Sequence, residues 1–157
     1  MNILKIQTEM LKEEVKGNLR MLWHRDDDGY LWIVWDGIFL FRVSEEEFYL
    51  RLSPRRNDSK VARMVFDYAE KTTNRLQISD DIRIVPPTYT GKAQKLLGDD
   101  GSFVYVSCGY LKMVTKNETG KITFWNKPDD SASSVVVKRD GELIAAIAPV
   151  RIKEAKQ

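Results

Sequence analysis

Phe103-Val-Tyr-Val-Ser-Cys-Gly-Tyr-Leu-Lys-Met-Val114 decides how this chain is read. Phe103 to Val106 is β-branched and aromatic, the composition of a strand. Ser107 then stands as an N-cap, and Tyr110, Leu111 and Val114 recur at helical spacing, so the strand runs straight into a short helix ending near Asn117. Downstream the pattern predicts a strand at Ile122 to Phe124, a turn at Lys127-Pro-Asp-Asp130 and a strand at Ser134 to Arg139. Asp140-Gly141 is a two-residue hairpin signal, because both turn positions need positive φ. Glu142 to Ile152 forms the last strand, with Pro149 marking an edge or a bulge, and Lys153 to Gln157 a frayed, charged tail.

The opening of the chain echoes this stretch. Leu4-Lys-Ile-Gln-Thr-Glu-Met-Leu-Lys12 lies over Val104-Tyr-Val-Ser-Cys-Gly-Tyr-Leu-Lys112, with Leu11 over Leu111, Lys12 over Lys112 and Lys16 over Lys116. On this reading Leu4 and Ile6 belong to a short half-buried strand, Thr8 caps a helix, and Met10, Leu11 and Val15 form its apolar face up to Gly17-Asn18. A strand from Leu19 to Arg25, a turn at Asp26-Asp27-Asp28-Gly29, and Tyr30 to Trp35 hairpinned through Asp36-Gly37 to Ile38–Val43 complete the unit. Those two strands are apolar on both faces, so another element or a partner covers the second face. Ser44-Glu-Glu-Glu47 reads as a loop or one helical turn, and Phe48 to Leu52 as a further short strand.

The middle follows a different pattern. Ser53-Pro-Arg-Arg-Asn57 interrupts it, Asp58 or Ser59 caps a helix to about Thr72, and Val61, Met64, Val65, Tyr68 and Ala69 give that helix an apolar stripe. Asn74 stands at its C-terminal cap. Leu76 to Thr90 reads as a connector or edge with a strand at Ile82 to Val85, stopped by Pro86-Pro87, and Ala93 to Leu97 as a strand before the Gly98–Gly101 turn. The fold class is therefore α+β: one domain over 1–157, with β-α-β-β-β units in repeat-like halves 1–52 and 93–152 and an inserted helix and connector at 53–92.

Two strand–helix–three-strand units resemble the module of DNA sliding clamps. The closing Ile147-Ala-Pro-Val-Arg-Ile152 is similar to the apolar-apolar-Met-Pro-Met-Arg-Leu ending of bacterial clamps. The likeness is specific over about the last fifty residues; the first fifty share only element order, and Leu76 to Leu97 matches no part of it. In that family short helices line a ring and point Lys and Arg at DNA phosphates without reading bases. The resemblance thus implies phosphate contact by Lys12, Lys16, Arg20, Lys112 and Lys116. A family ring contains several such modules, so this chain would need to self-assemble, or act as a ring-free adaptor or mimic. Against these lysines stand Glu9, Glu13, Glu14 and Glu118, which dilute the patch, and the bland reading is of ordinary solvated lysines on amphipathic helices.

The densest basic cluster is Arg51, Arg55, Arg56, Lys60 and Arg63, with Arg75 nearby. It is the best candidate for an anionic partner, with Arg55, Arg56 and Lys60 expected to carry salt-dependent DNA binding, a solvated surface being its bland counterpart. Across the chain, 25 Lys and Arg against 23 Asp and Glu leave a net charge of only +2, which excludes a strongly basic nucleic-acid binder but not a local patch. Cys108 is the one cysteine, so no intramolecular disulfide forms and a cytoplasmic, reducing setting is expected. No stretch reaches the about 18 apolar residues of a membrane helix, and the N-terminus lacks a signal peptide.

Catalytic signatures are missing. His24 is the sole histidine and reads as a strand residue beside Trp23. The Asp26–Gly29 run lacks the spaced ligands of a calcium loop, and no phosphate-binding glycine loop or nucleophile elbow is present. The expectation is a protein without enzymatic activity or cofactor. Its partners would be DNA, held without sequence preference, or a replication or host protein. The alternative is an interaction module of a phage or mobile element that leaves DNA alone. The four tryptophans are expected in the core unless an exposed pair anchors a partner.

Overall fold

The computed structural model describes residues 1–53, 60, 67–85 and 91–152. Among them are helices α1 (Ile3–Val15) and α2 (Cys108–Thr115) and a 3₁₀ turn at Glu45–Glu47. The strands are β1 (Met21–Arg25), β2 (Tyr30–Trp35), β3 (Phe39–Ser44), β4 (Asn74–Ile84), β5 (Lys92–Gly98), β6 (Phe103–Ser107), β7 (Ile122–Asn126), β8 (Val135–Arg139) and β9 (Glu142–Ile147). All nine join one antiparallel sheet in the order β1-β2-β3-β9-β8-β7-β4-β5-β6, an α+β architecture with few helices. Past β9 the chain reaches the far edge: Pro149 bridges Val106, and the Val150 N–H donates to the Tyr105 carbonyl at 2.7 Å. The strip from β9 to β6 thus curls until its ends meet, which removes an exposed edge there.

The hairpins follow from their turns. Asp36 and Gly37 take φ of 55° and 67°, and Asp140 and Gly141 take 52° and 91°, the left-handed pair that matches strand twist. Gly17 at φ 74° ends α1, where a side chain would be strained.

One face of the sheet carries the core. Leu31, Ile33 and Trp35 of β2, Phe39, Phe41 and Val43 of β3, Val135 and Val137 of β8, and Val104 and Val106 of β6 bury their side chains against both helices. From α1 come Ile6 and Met10, from α2 Leu111 and Val114. Tyr110 stacks on Phe39 at 5.0 Å and meets Trp35 edge-on at 5.7 Å, tying α2 to the first hairpin. The helices touch where the Asn2 N–H donates to the Met113 carbonyl at 2.7 Å. Trp32 and Leu40, on the opposite face of the hairpin, are 2 % and 4 % exposed, so that second face is covered as well.

Several sequence expectations are corrected. Leu4 to Gln7 is not a strand, because α1 begins at Ile3 and Asn2, not Thr8, caps it, its Oδ1 accepting from the Lys5 N–H at 3.0 Å. The Thr8 hydroxyl instead donates back to the Leu4 carbonyl. The buried face of α1 is Ile6, Gln7 and Met10, so Leu11 and Val15, expected inside, face solvent. Gln7 is inside because it holds a bend: its amide donates to the Glu47 carbonyl at 2.7 Å and its oxygen accepts from the Tyr49 N–H at 2.6 Å. That bend replaces the expected strand at Phe48 to Leu52.

The connector expected at Leu76 to Thr90 is mostly β4, an eleven-residue strand paired on both sides, to β7 and to β5. Asn74 opens this strand instead of capping a helix. Of the helix expected at 58–72, Lys60 and 67–70 are helical, Lys71 and Thr72 are not, and 58, 59 and 61–66 lie outside the described residues, as do Pro86-Pro87 and the 153–157 tail. The last strand stops at Ile147, and Pro149 makes only an isolated bridge. No described helix is long and apolar enough to cross a membrane.

Candidate nucleic-acid interface

The helix lysines are exposed on the helix-bearing side of the sheet, but they are not equivalent. On α1, Glu9 accepts from Lys5 at 2.6 Å and from Lys12 at 2.9 Å, and Glu13 accepts from Lys16 at 2.8 Å. These contacts hold the Glu9 carboxyl below its usual range, chiefly through Lys5, and raise the Lys16 amine through Glu13. With Glu14 added, the acids of α1 balance Lys5, Lys12 and Lys16. Exposed pairs of this kind are screened by solvent and open readily, but the helix offers an anion no net charge.

On α2 the position differs. Lys112 and Lys116 are exposed, and among the described residues no carboxylate pairs with either. Glu118, expected to dilute them, is turned inward: its side chain is 8 % exposed and is engaged by the Met1 amine and by Arg139 at 3.4 Å. Both lysines also sit where the C-terminal end of the helix dipole favours a cation. Arg20 is exposed at the end of α1's following loop, its carbonyl held by the Asp36 N–H.

The second expected cluster is mostly beyond view. Arg55, Arg56 and Arg63 lie outside the described residues; Lys60 is exposed and has an interaction partner; Arg51 and Arg75 are exposed. His24 lies on β1 opposite Trp32, lining a cleft with the 26–28 acids and Arg42. That loop is turn chemistry. Asp26 Oδ1 accepts from the Asp28 and Tyr30 N–H groups at 3.1 and 2.8 Å, and its Oδ2 accepts from the Trp32 indole at 3.0 Å. Arg42 bridges it to Tyr30, its guanidinium 4.0 Å from the ring centre. Among the described residues no three His, Cys, Asp or Glu side chains converge as metal ligands.

A surface that the sequence reading missed lies on the opposite face of the curled strip. Tyr105 donates its hydroxyl to Asp81 Oδ2 at 2.9 Å, and Arg83 Nε reaches Asp81 Oδ1 at 2.9 Å. Arg83 first, then Tyr105, hold the Asp81 carboxyl below its ordinary range, while burial raises the Tyr105 hydroxyl. The signal was in the alternation of Phe103-Val-Tyr-Val106: if the valines face the core, the aromatic rings face out.

Comparison with protein-family models, with curated proteins and with solved structures finds no match to this chain.

Proposed function

We propose that this protein is a non-enzymatic, clamp-like DNA-associated module, which holds duplex phosphates without reading sequence through Lys112 and Lys116, with Lys12 and Lys16 alongside. One observation carries the reading: a helix followed by three antiparallel strands occurs twice, as α1-β1-β2-β3 and α2-β7-β8-β9, and the two sets join through β3 and β9. That order is the same from either end, β1-β2-β3 meeting β9-β8-β7, as a duplicated unit with internal two-fold symmetry requires. The helices then share one side of the sheet. The equivalence also shifts register: Gln7 and Met10 take the inward places of Leu111 and Val114, at the same chain separation as the two Asp-Gly turns, while Leu11 and Leu111 part company.

Each phosphate neutralised adds about −0.9 to the slope of log affinity against log salt. Binding of a random-sequence duplex, followed by fluorescence anisotropy across salt, is expected to be insensitive to sequence. The K112E/K116E variant is expected to weaken binding and flatten the slope by about 2. No binding at low salt, or an unchanged slope in the variant, sinks the proposal.

A second reading, a phage or mobile-element interaction module indifferent to DNA, is favoured by one observation. Leu4, Leu11 and Val15 form an apolar stripe on the outer side of α1 and are 73 %, 50 % and 81 % exposed. A helix face of that kind suits a protein groove or a second copy of the chain. Sedimentation of the wild type and of L11R/V15R, with and without duplex, separates the readings. Self-association lost in L11R/V15R and indifferent to DNA favours the second; a complex that forms only with DNA favours the first.

A further inference from the structure

On β6, Val104 and Val106 are 1 % and 0 % exposed in the core, so Phe103 and Tyr105 stand on the face turned away from the helices. Their rings lie 5.9 Å apart at 83°. Phe103 is 38 % exposed. Lys95, which faces Tyr105 across the β5–β6 register, places its amine 4.4 Å from the centre of the Phe103 ring. Arg83 and Arg151 line the same open cleft of about 490 Å³, between β6 and the segment after β9. Among these cations the carboxylate in contact is Asp81, 2.9 Å from Arg83 and 4.0 Å from Lys95. Three cations near a partly exposed aromatic ring, two of them sharing that one carboxylate, describe a receptor for something both planar and anionic.

We propose that this cleft binds single-stranded nucleic acid, one base stacking on Phe103 while Lys95, Arg83 and Arg151 take neighbouring phosphates. Stacking tolerates any sequence because every base has a π-face, and a cationic groove beside the ring tracks the backbone. The Lys95 amine over the ring is exchangeable: an incoming base takes its place and leaves the charge free for phosphate. A duplex does not fit this chemistry, since its bases are already stacked on one another. Peptide addition to the β6 edge is closed at Tyr105 and Val106, whose edge is taken by Val150 and Pro149. The cleft lies on the other face of the sheet from Lys112 and Lys116 and stands whether or not those lysines hold duplex.

The test uses the full chain and a fluorescently labelled oligo-dT of about 15 nucleotides, within the span such surfaces cover. Unlabelled oligo-dT, a duplex of equal length and a polyglutamate peptide serve as competitors. Phe103→Ala is expected to weaken oligo-dT binding roughly 5- to 150-fold, the value of one stacked base, and Phe103→Trp to preserve it. K112E/K116E is expected to leave oligo-dT binding unchanged, so failure here and failure of the duplex reading are distinct. A thermal melt checks that Phe103→Ala still folds, as the exposure of the ring leads one to expect; were it not to, Arg151→Glu with its shallower salt dependence takes over the test. The proposal is overturned if Phe103→Ala and Arg151→Glu bind like the wild type, if duplex competes as well as oligo-dT, or if polyglutamate displaces the oligonucleotide at equal charge concentration.

Discussion

Truncating Ile6 and Leu4 separately decides whether the chain opens on a helix or on a strand. In a strand, residues two apart share a face, so Leu4 and Ile6 would be buried together. In α1 they diverge: Ile6 is 0 % exposed beneath the sheet and Leu4 is 73 % exposed. Ile6→Ala removes three carbons from a filled site and leaves a void between α1 and the first hairpin, at about 2–5 kcal/mol. Leu4→Ala removes as many carbons from solvent, and alanine is the better helix former, so its effect stays within about 0.5 kcal/mol. For a chain of this size each kcal/mol moves Tm by roughly 2–4 °C. Ile6→Ala should thus lower Tm by roughly 6–12 °C for a mid-range 3 kcal/mol, with Leu4→Ala within about 2 °C. Calorimetry or circular dichroism on both variants supplies the comparison. Equal losses from the two truncations would refute the helical placement and restore the strand.

Two other perturbations probe the packing. A Cβ at Gly98 would collide with the Asn74 amide, Asp100 and Ser102, and Asn74 cannot withdraw because it donates to Asn126 at 2.8 Å and Ser102 at 3.1 Å. Gly98→Ala is therefore expected to cost about 1–3 kcal/mol in urea unfolding, and an unchanged midpoint would show that the β5–β6 turn yields freely. Burial first, then Asp36 and Glu13, raise the Tyr110 hydroxyl above its ordinary value of 10.0. A folded-state pKa above the unfolded one gives stability that is whole below the unfolded pKa and lost as pH climbs through the folded one. Tyr110→Phe keeps both ring contacts and should flatten the loss of stability above about pH 10; parallel alkaline limbs in the two proteins would count against that burial.

The parts of the fold legible in the sequence are those set by local chemistry. Both Asp-Gly turns, the Gly17 stop and the run of elements from Phe103 to Ile147 stand where composition and turn residues put them. The misreadings come from polar residues in apolar places. Gln7 sits between Ile6 and Met10 on the buried face of α1, which hides the helical period and leaves Leu4 and Ile6 to mimic a strand. Its burial is repaid only by the backbone of Glu47 and Tyr49, some forty positions away and invisible locally. β4 hides for a similar reason. Its register shifts between Ile78 and Ile82, so alternation breaks where the strand continues, and the gap is filled by Gln94 donating to the Ser79 and Asp81 carbonyls. For the candidate site, the pairing of Lys12 with Glu9 and of Lys16 with Glu13 was readable from i,i+3 spacing, but the inward turn of Glu118 depends on Arg139 and the Met1 amine.

The two proposed sites differ in what they demand of the fold. Lys112 and Lys116 ride on a helix whose other side is core, so their position follows from packing alone, and two point charges recognise any phosphate backbone. Phe103 has no such reason to be where it is. Its strand spends Val104 and Val106 on the core, and its own ring, 38 % exposed, meets Tyr105 edge-on and the Lys95 amine instead of the helices. A duplex surface and a single-strand cleft on opposite faces of one sheet would let a single chain hold a nucleic acid on both sides of a strand-separation point. Because the two sets of side chains share no partner, substitutions in one should act independently of the other, and their effects on binding should add within about 0.5 kcal/mol.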